Sequence, residues 1–184
     1  MFFGPSPRNI APEAAAALAH SARQRAKIVA VTVDADDAQL DRLTRILAPD
    51  LIQAHGAETP ARVREIAERT GAGVIKAMAI SEAADVQAAV AFVSVSTHLM
   101  FDARPPRGSA LPGGGGVAFD WTLLAGLKLD RPWFLAGGLD PWNVAEAVRV
   151  SGAPMVDVST GVERGAGLKD PALVEAFLEA VRRA

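Results

Sequence analysis

Two stretches near the end of the chain, LAGGLDPWNV from Leu135 and MVDVSTGVE from Met155, share one design. Each is an apolar run that stops at small residues and leads toward a helical segment, which leaves backbone N–H groups unpaired and able to face an anion. Gly137 and Gly138 permit close backbone approach, and Ser159, Thr160 and Gly161 add hydroxyls and amides. Either stretch alone is as readily an ordinary strand-ending turn as a ligand site. The two in tandem favour a phosphate cup.

A second constellation is HLMFDARPPRGSALPGGGGVAFDW, beginning at His98. Asp102 closes an apolar run, and a carboxyl held partly dry at the end of a strand suits proton transfer, with a solvated loop aspartate as the plain alternative. The Pro- and Gly-rich segment 105–116 is too long for a simple connector and is expected to form a mobile flap, or else a surface loop.

These groups need elements to hold them. Strands are predicted at Met1–Phe3, Ile28–Val33, Leu51–Ala54, Val74–Ala77, His98–Phe101, Trp133–Leu135 and Met155–Val158. Helices are predicted near Pro12–Arg25, Asp37–Leu47, Pro60–Arg69, Glu82–Phe92, Asp120–Leu127, Pro141–Val150 and Pro171–Arg183. Four of the helices carry Pro in the first turn, and Ser81 and Asp120 are the expected N-caps. Strands apolar throughout and joined by helices imply a parallel sheet covered by helices.

No G-x-G-x-x-G follows the first strands, so the dinucleotide-binding open sheet lacks its fingerprint. Nearly every predicted strand instead ends at a functional type of residue: Arg8, Asp34, His55, Asp102, Gly137-Gly138 and Ser159-Thr160-Gly161. A (β/α)8 barrel gathers its chemistry at that rim, and it commonly binds phosphate with the loops after its last two strands.

Composition narrows the chemistry. The 184 residues carry a formal net charge of −2, and half of them are hydrophobic, which fits one domain spanning residues 1–184. Basic residues form no stripe for a phosphodiester backbone, so nucleic acid is not an expected partner. No apolar run reaches the roughly 20 residues of a membrane helix and no secretory leader opens the chain, so no membrane partner and a cytoplasmic location are expected. Cysteine is absent, which removes disulfides, thiolate metal sites and thiol catalysis from this chain.

The strings FFGPSPRNI, QAHG, LMFDA, LPGGGGVAFDW, LAGGLDPWNV and VDVSTGVERGAGLKD resemble, in order and spacing, the phosphoribosylanthranilate isomerase family over the whole chain. The resemblance implies a TIM barrel and an Amadori rearrangement in tryptophan biosynthesis, with no metal or other cofactor. It places the general acid at Asp102 and a guanidinium for the anthranilate carboxylate at Arg8, a bidentate task. Asp157 matches a carboxylate beside the substrate. Gln53 and His55 match pocket-facing polar residues, and either is equally readable as a structural group. The implied partner is a small phosphorylated sugar–anthranilate.

Several positions depart from the family pattern. Gly115 stands where Thr or Ser is usual, Ala54 where Leu is usual and Ala166 where Pro is frequent. Family members begin with a strand ending in K-I-C-G and a helix before the strand that reaches S-P-R, whereas Met1 here falls inside that second strand. The expectation is therefore a barrel of seven parallel strands lacking its first βα unit, with that unit encoded upstream in frame. Such a barrel would expose unpaired sheet edges, compromising folding alone and inviting self-association. The cysteine of the absent unit is the family's general base, and losing a base costs about 10²- to 10⁴-fold in rate. Two other readings are a non-catalytic phosphate-binding barrel fragment and a different sugar-phosphate isomerase on the same barrel.

Overall fold

The computed structural model describes residues 2, 3, 6, 8–104 and 118–184. The proposed flap at 105–116 lies outside the described residues. Two compact units emerge. One holds the described residues up to Ala77 together with Ala91–His98, and the other holds Met78–Val90 and Leu99–Ala184.

In the first unit the strands β1 (Phe2–Phe3), β2 (Val29–Thr32), β3 (Leu51–Ala54) and β4 (Gly73–Ile80, whose last three residues continue into the second unit) are hydrogen-bonded neighbours in chain order. All pairings are parallel, with Phe3 opposite Thr32, Thr32 opposite Ala54 and Ala54 opposite Lys76. Parallel neighbours require helical crossovers, and α1 (Pro12–Ala22), α2 (Asp37–Ile46) and α3 (Pro60–Thr70) supply them.

Each helix starts where the local chemistry dictates. Asp36 accepts from the Gln39 amide at 2.8 Å and Thr59 from the Arg62 amide at 3.2 Å, while Pro12 and Pro60 fill first-turn positions that need no N–H. α3 ends at Gly71 with φ 68°, a left-handed cap open to glycine. Leu40, Leu43, Val63 and Ile66 are the apolar faces of α2 and α3 and are buried, together with Ala30, Ile52, Ala54 and Val74 of the strands.

In the second unit the end of β4 is followed by β5 (His98–Ala103), β6 (Trp133–Leu135) and β7 (Met155–Val156), again parallel and in chain order. Phe101 lies opposite Leu135, and Leu135 opposite Val156. Leu99, Met100, Phe101 and Leu135 are fully buried, and Phe101 meets Trp133 edge to face at 5.3 Å. The helices are α4 (Ala83–Ala88), α5 (Val144–Ser151) and α6 (Pro171–Arg182).

The expected α/β class with parallel strands is what forms, and β3 and β6 have the predicted limits. Three local expectations are corrected. Glu82 rather than Ser81 caps α4, because the Asp85 carboxylate accepts from the Glu82 amide at 3.1 Å and also holds the Ser81 amide and hydroxyl. The helix predicted at Asp120–Leu127 is only a 3-10 turn at Trp121–Leu124, although Asp120 does cap it through the Thr122 amide. α5 begins at Val144 instead of Pro141, since Asp140 accepts from the Trp142 and Asn143 amides and holds the intervening residues in a turn. A small antiparallel hairpin, β8 (Glu163–Gly165) with β9 (Leu168–Lys169), had no counterpart among the predicted elements.

Candidate functional site

In the second unit, β5 and β6 deliver Asp102 and the Gly137-Gly138 turn to one place. The Ala136 amide donates to the Phe101 carbonyl at 2.8 Å, so the chain leaving β6 runs beside the chain leaving β5. Gly137 has φ 85° and Gly138 φ 66°, both in the left-handed region. A Cβ at Gly137 would stand 2.2 Å from the Ala103 nitrogen and 2.6 Å from Asp102 Oδ1. Glycine is thus required twice over at 137, and its small size is what lets the turn sit against the Asp102 carboxyl. Asp102 itself is 8% exposed.

The turn is then locked. Asn143 donates through Nδ2 to the Gly138 carbonyl at 2.8 Å and accepts at Oδ1 from the Asp140 amide at 2.9 Å.

The turn after β7 joins the same cluster. Asp157, the first residue beyond β7, donates its amide to the Leu135 carbonyl at 2.8 Å, which ties this segment to β6. Gly161 then packs on the Gly137–Asp140 turn so closely that a Cβ would stand 2.0 Å from the Leu139 oxygen and 2.9 Å from the Asp140 Cα. The two amide-bearing turns therefore adjoin each other, with Ser159 half-buried and Thr160 exposed beside them. Asp102, Gly137, Gly138, Ser159, Thr160 and Gly161 are brought together within this unit.

The remaining predicted residues belong to the first unit. Arg8 sits in a turn after β1, its amide donating to Ser6 Oγ at 3.1 Å. Gln53 is buried in β3, and its side-chain amide is hydrogen-bonded to His55 Nδ1 at 2.7 Å.

Asp34, at the end of β2, has a structural role. Its carboxylate accepts from the Ala57 amide at 2.7 Å and leaves no room for a Cβ at Gly56.

Sequence reading missed the charged groups that brace these loops. Glu58 and Lys76 form an ion pair of 2.7 Å, with side chains 1% and 3% exposed. Glu58 also accepts from the Asp34 and Gly56 amides, and Lys76 donates to the Ala54 and Gly56 carbonyls. Burial pushes the Glu58 carboxyl up, but the hydrogen bond and charge of Lys76, aided by the amides, outweigh it and hold the group below its ordinary value. A lysine in the middle of the apolar run VIKAMAI was the available signal. Lys169 was missed too. It donates to the Ser159 carbonyl at 2.7 Å, to Ser159 Oγ at 3.2 Å and to Glu163 at 2.8 Å.

The chain matches known proteins over nearly its full length. The family model described as N-(5'phosphoribosyl)anthranilate (PRA) isomerase matches residues 1–180. The N-(5'-phosphoribosyl)anthranilate isomerase of Caulobacter sp. (strain K31) is 67% identical over 184 residues, covering 100% of this chain and 86% of the relative. The phosphoribosyl anthranilate isomerase structure from Thermotoga maritima superposes with a TM-score of 0.85 at 30% identity, covering 98% of this chain and 84% of that one. A phosphoribosyl anthranilate isomerase in complex with reduced 1-(o-carboxyphenylamino)-1-deoxyribulose 5-phosphate superposes with a TM-score of 0.80 at 27% identity, covering 98% and 84%. The α/β barrel class expected from the sequence is the fold class of these relatives. This chain belongs to the N-(5'-phosphoribosyl)anthranilate isomerase family.

Proposed function

We propose that this chain acts in the cytoplasm, in tryptophan biosynthesis, on N-(5-phosphoribosyl)anthranilate, directing it toward 1-(2-carboxyphenylamino)-1-deoxyribulose 5-phosphate. The observation that supports this most is the contact of Gly161 with Leu139, which sets two amide-rich turns side by side, next to a nearly buried carboxyl at Asp102. Backbone amides and the Ser159 and Thr160 hydroxyls are suited to a phosphate dianion. Asp102 is suited to a proton on the ribose, because both groups are reached from the same turn.

The chemistry divides into two stages, ring opening and then enolisation to the ketose. Asp102 gives a proton to the ribose ring oxygen as the C1–O bond breaks and the nitrogen lone pair forms C1=N. Removal of the C2 proton then gives the enolamine, and protonation at C1 with loss of the C2 hydroxyl proton yields the aminoketose. The C2 step requires a base that is not a thiolate of this chain, which contains no cysteine. Arg8 is assigned to the anthranilate carboxylate on its charge and on the bidentate pairing open to a guanidinium, and Asp157 to a supporting place near the sugar.

The test is to titrate the chain with the reduced product analogue named above and to follow loss of substrate fluorescence. Binding that depends on the phosphate group is expected. Binding without any turnover would identify a phosphate-binding relative that does not catalyse, and failure to bind would overturn the proposal.

A further inference from the structure

The hairpin β8–β9 returns the chain to the turn it has just left, and Lys169 at its end closes the loop. An ammonium has three N–H donors, and Lys169 spends them on the Ser159 carbonyl, Ser159 Oγ and Glu163 Oε1. Glu163, whose side chain is only 2% exposed, is fixed in turn by the Gly167 amide on Oε2 at 3.2 Å. The hairpin is further pinned by the Asp170 amide on the Val162 carbonyl at 2.9 Å.

With its donors committed, Lys169 has no hydrogen left for a ligand. Its effect must pass through Ser159. A serine hydroxyl that accepts from an ammonium keeps its own hydrogen to donate, and hydrogen bonds arranged in series strengthen one another. The backbone carbonyl contact fixes the same residue at a second point, so the hydroxyl is both oriented and polarised.

We infer that Lys169 is a positioning residue for phosphate recognition: braced by Glu163, it holds Ser159 so that the hydroxyl donates to the substrate phosphate. This rests on the phosphate reading of the Ser159–Gly161 turn. It adds a residue that touches no ligand and that lies ten positions beyond Ser159.

The experiment compares binding of reduced 1-(o-carboxyphenylamino)-1-deoxyribulose 5-phosphate with its dephosphorylated form, using the 184-residue chain and the variants Lys169→Met, Ser159→Ala and the double variant. The ratio of the two affinities isolates the phosphate contribution, which a general loosening of the fold would leave in place. Each single variant is expected to lower that ratio about tenfold, as for loss of one hydrogen bond to a charged group, and the double variant to lower it no further.

A Lys169→Met protein that keeps the wild-type ratio, or losses that multiply in the double variant, would overturn the inference. If Lys169→Met does not fold, Ser159→Ala decides, since an unchanged ratio there removes the hydroxyl from phosphate recognition and the inference with it. A wild-type chain that binds both forms equally is a separate outcome, which refutes the phosphate reading itself.

Discussion

Gly161 lies against Leu139, with the space for a Cβ already taken by the Leu139 carbonyl oxygen at 2.0 Å. The obstacle is backbone, so a side chain there can be accommodated only by moving one turn away from the other. Gly161→Ala is expected to cost about 1–3 kcal/mol of stability through overpacking. It should also weaken the phosphorylated product analogue more than its dephosphorylated form, measured by calorimetric titration beside a denaturant melt. Unchanged affinity for both forms would show that the adjoining turns are only a packing arrangement.

Asp102 and Gly137 give a second pair of variants. Asp102→Asn keeps the shape and removes the transferable proton, so turnover should fall by about 10²- to 10⁴-fold with analogue binding preserved. Gly137→Ala must instead fight a φ of 85° and a 2.2 Å approach to the Ala103 nitrogen, so it should lose thermal stability and binding together.

Lys76 and Glu58 form the most buried charged pair among the described residues, so removing one partner strands the other. Lys76→Met is expected to destabilise by about 3–5 kcal/mol, whereas replacing both residues with apolar ones of similar volume should cost much less. Urea denaturation of the single and double variants checks this. Equal loss in both would mean that the hydrogen bonds to the Gly56 and Asp34 backbones matter more than the charges.

The same pair sets a pH dependence. The Glu58 carboxyl is held below its ordinary value in the folded chain, so the unfolded chain takes up a proton there first as pH falls. Its contribution to stability is fully present above the unfolded value of about 4.3 and is lost as the pH drops through the lower, folded value. Denaturation midpoints should therefore decline below about pH 4.3, and less steeply in a variant with both residues replaced by apolar ones.

Arg69 presents the contrasting case on the surface. It reaches Asp41 with two nitrogens at 2.7 Å and Asp37 at 2.8 Å, bracing α3 against α2. These side chains are well exposed, so Arg69→Ala should move the melting temperature little, and the difference should shrink as salt is added. A large, salt-insensitive loss would contradict that.

The sequence by itself determined where apolar runs become strands, that helices start at Pro12, Asp37, Pro60 and Pro171, and that no thiol of this chain does chemistry. Those properties are written in neighbouring residues, and so are the glycines and hydroxyls of the two late turns. The VDVSTGVE and LAGGLDPWNV strings were legible as strand-ending turns of small residues for the same reason.

Only the tertiary structure decided that Gly161 lies on Leu139, that Lys76 finds Glu58, and that Lys169 returns to Ser159. Each contact joins residues separated along the chain by a turn, a helix or a hairpin. Its existence depends on strand register and on the path of the backbone between them. Local periodicity carries no record of either, and for that reason the braces were hidden in a sequence that displayed its turn glycines and hydroxyls openly.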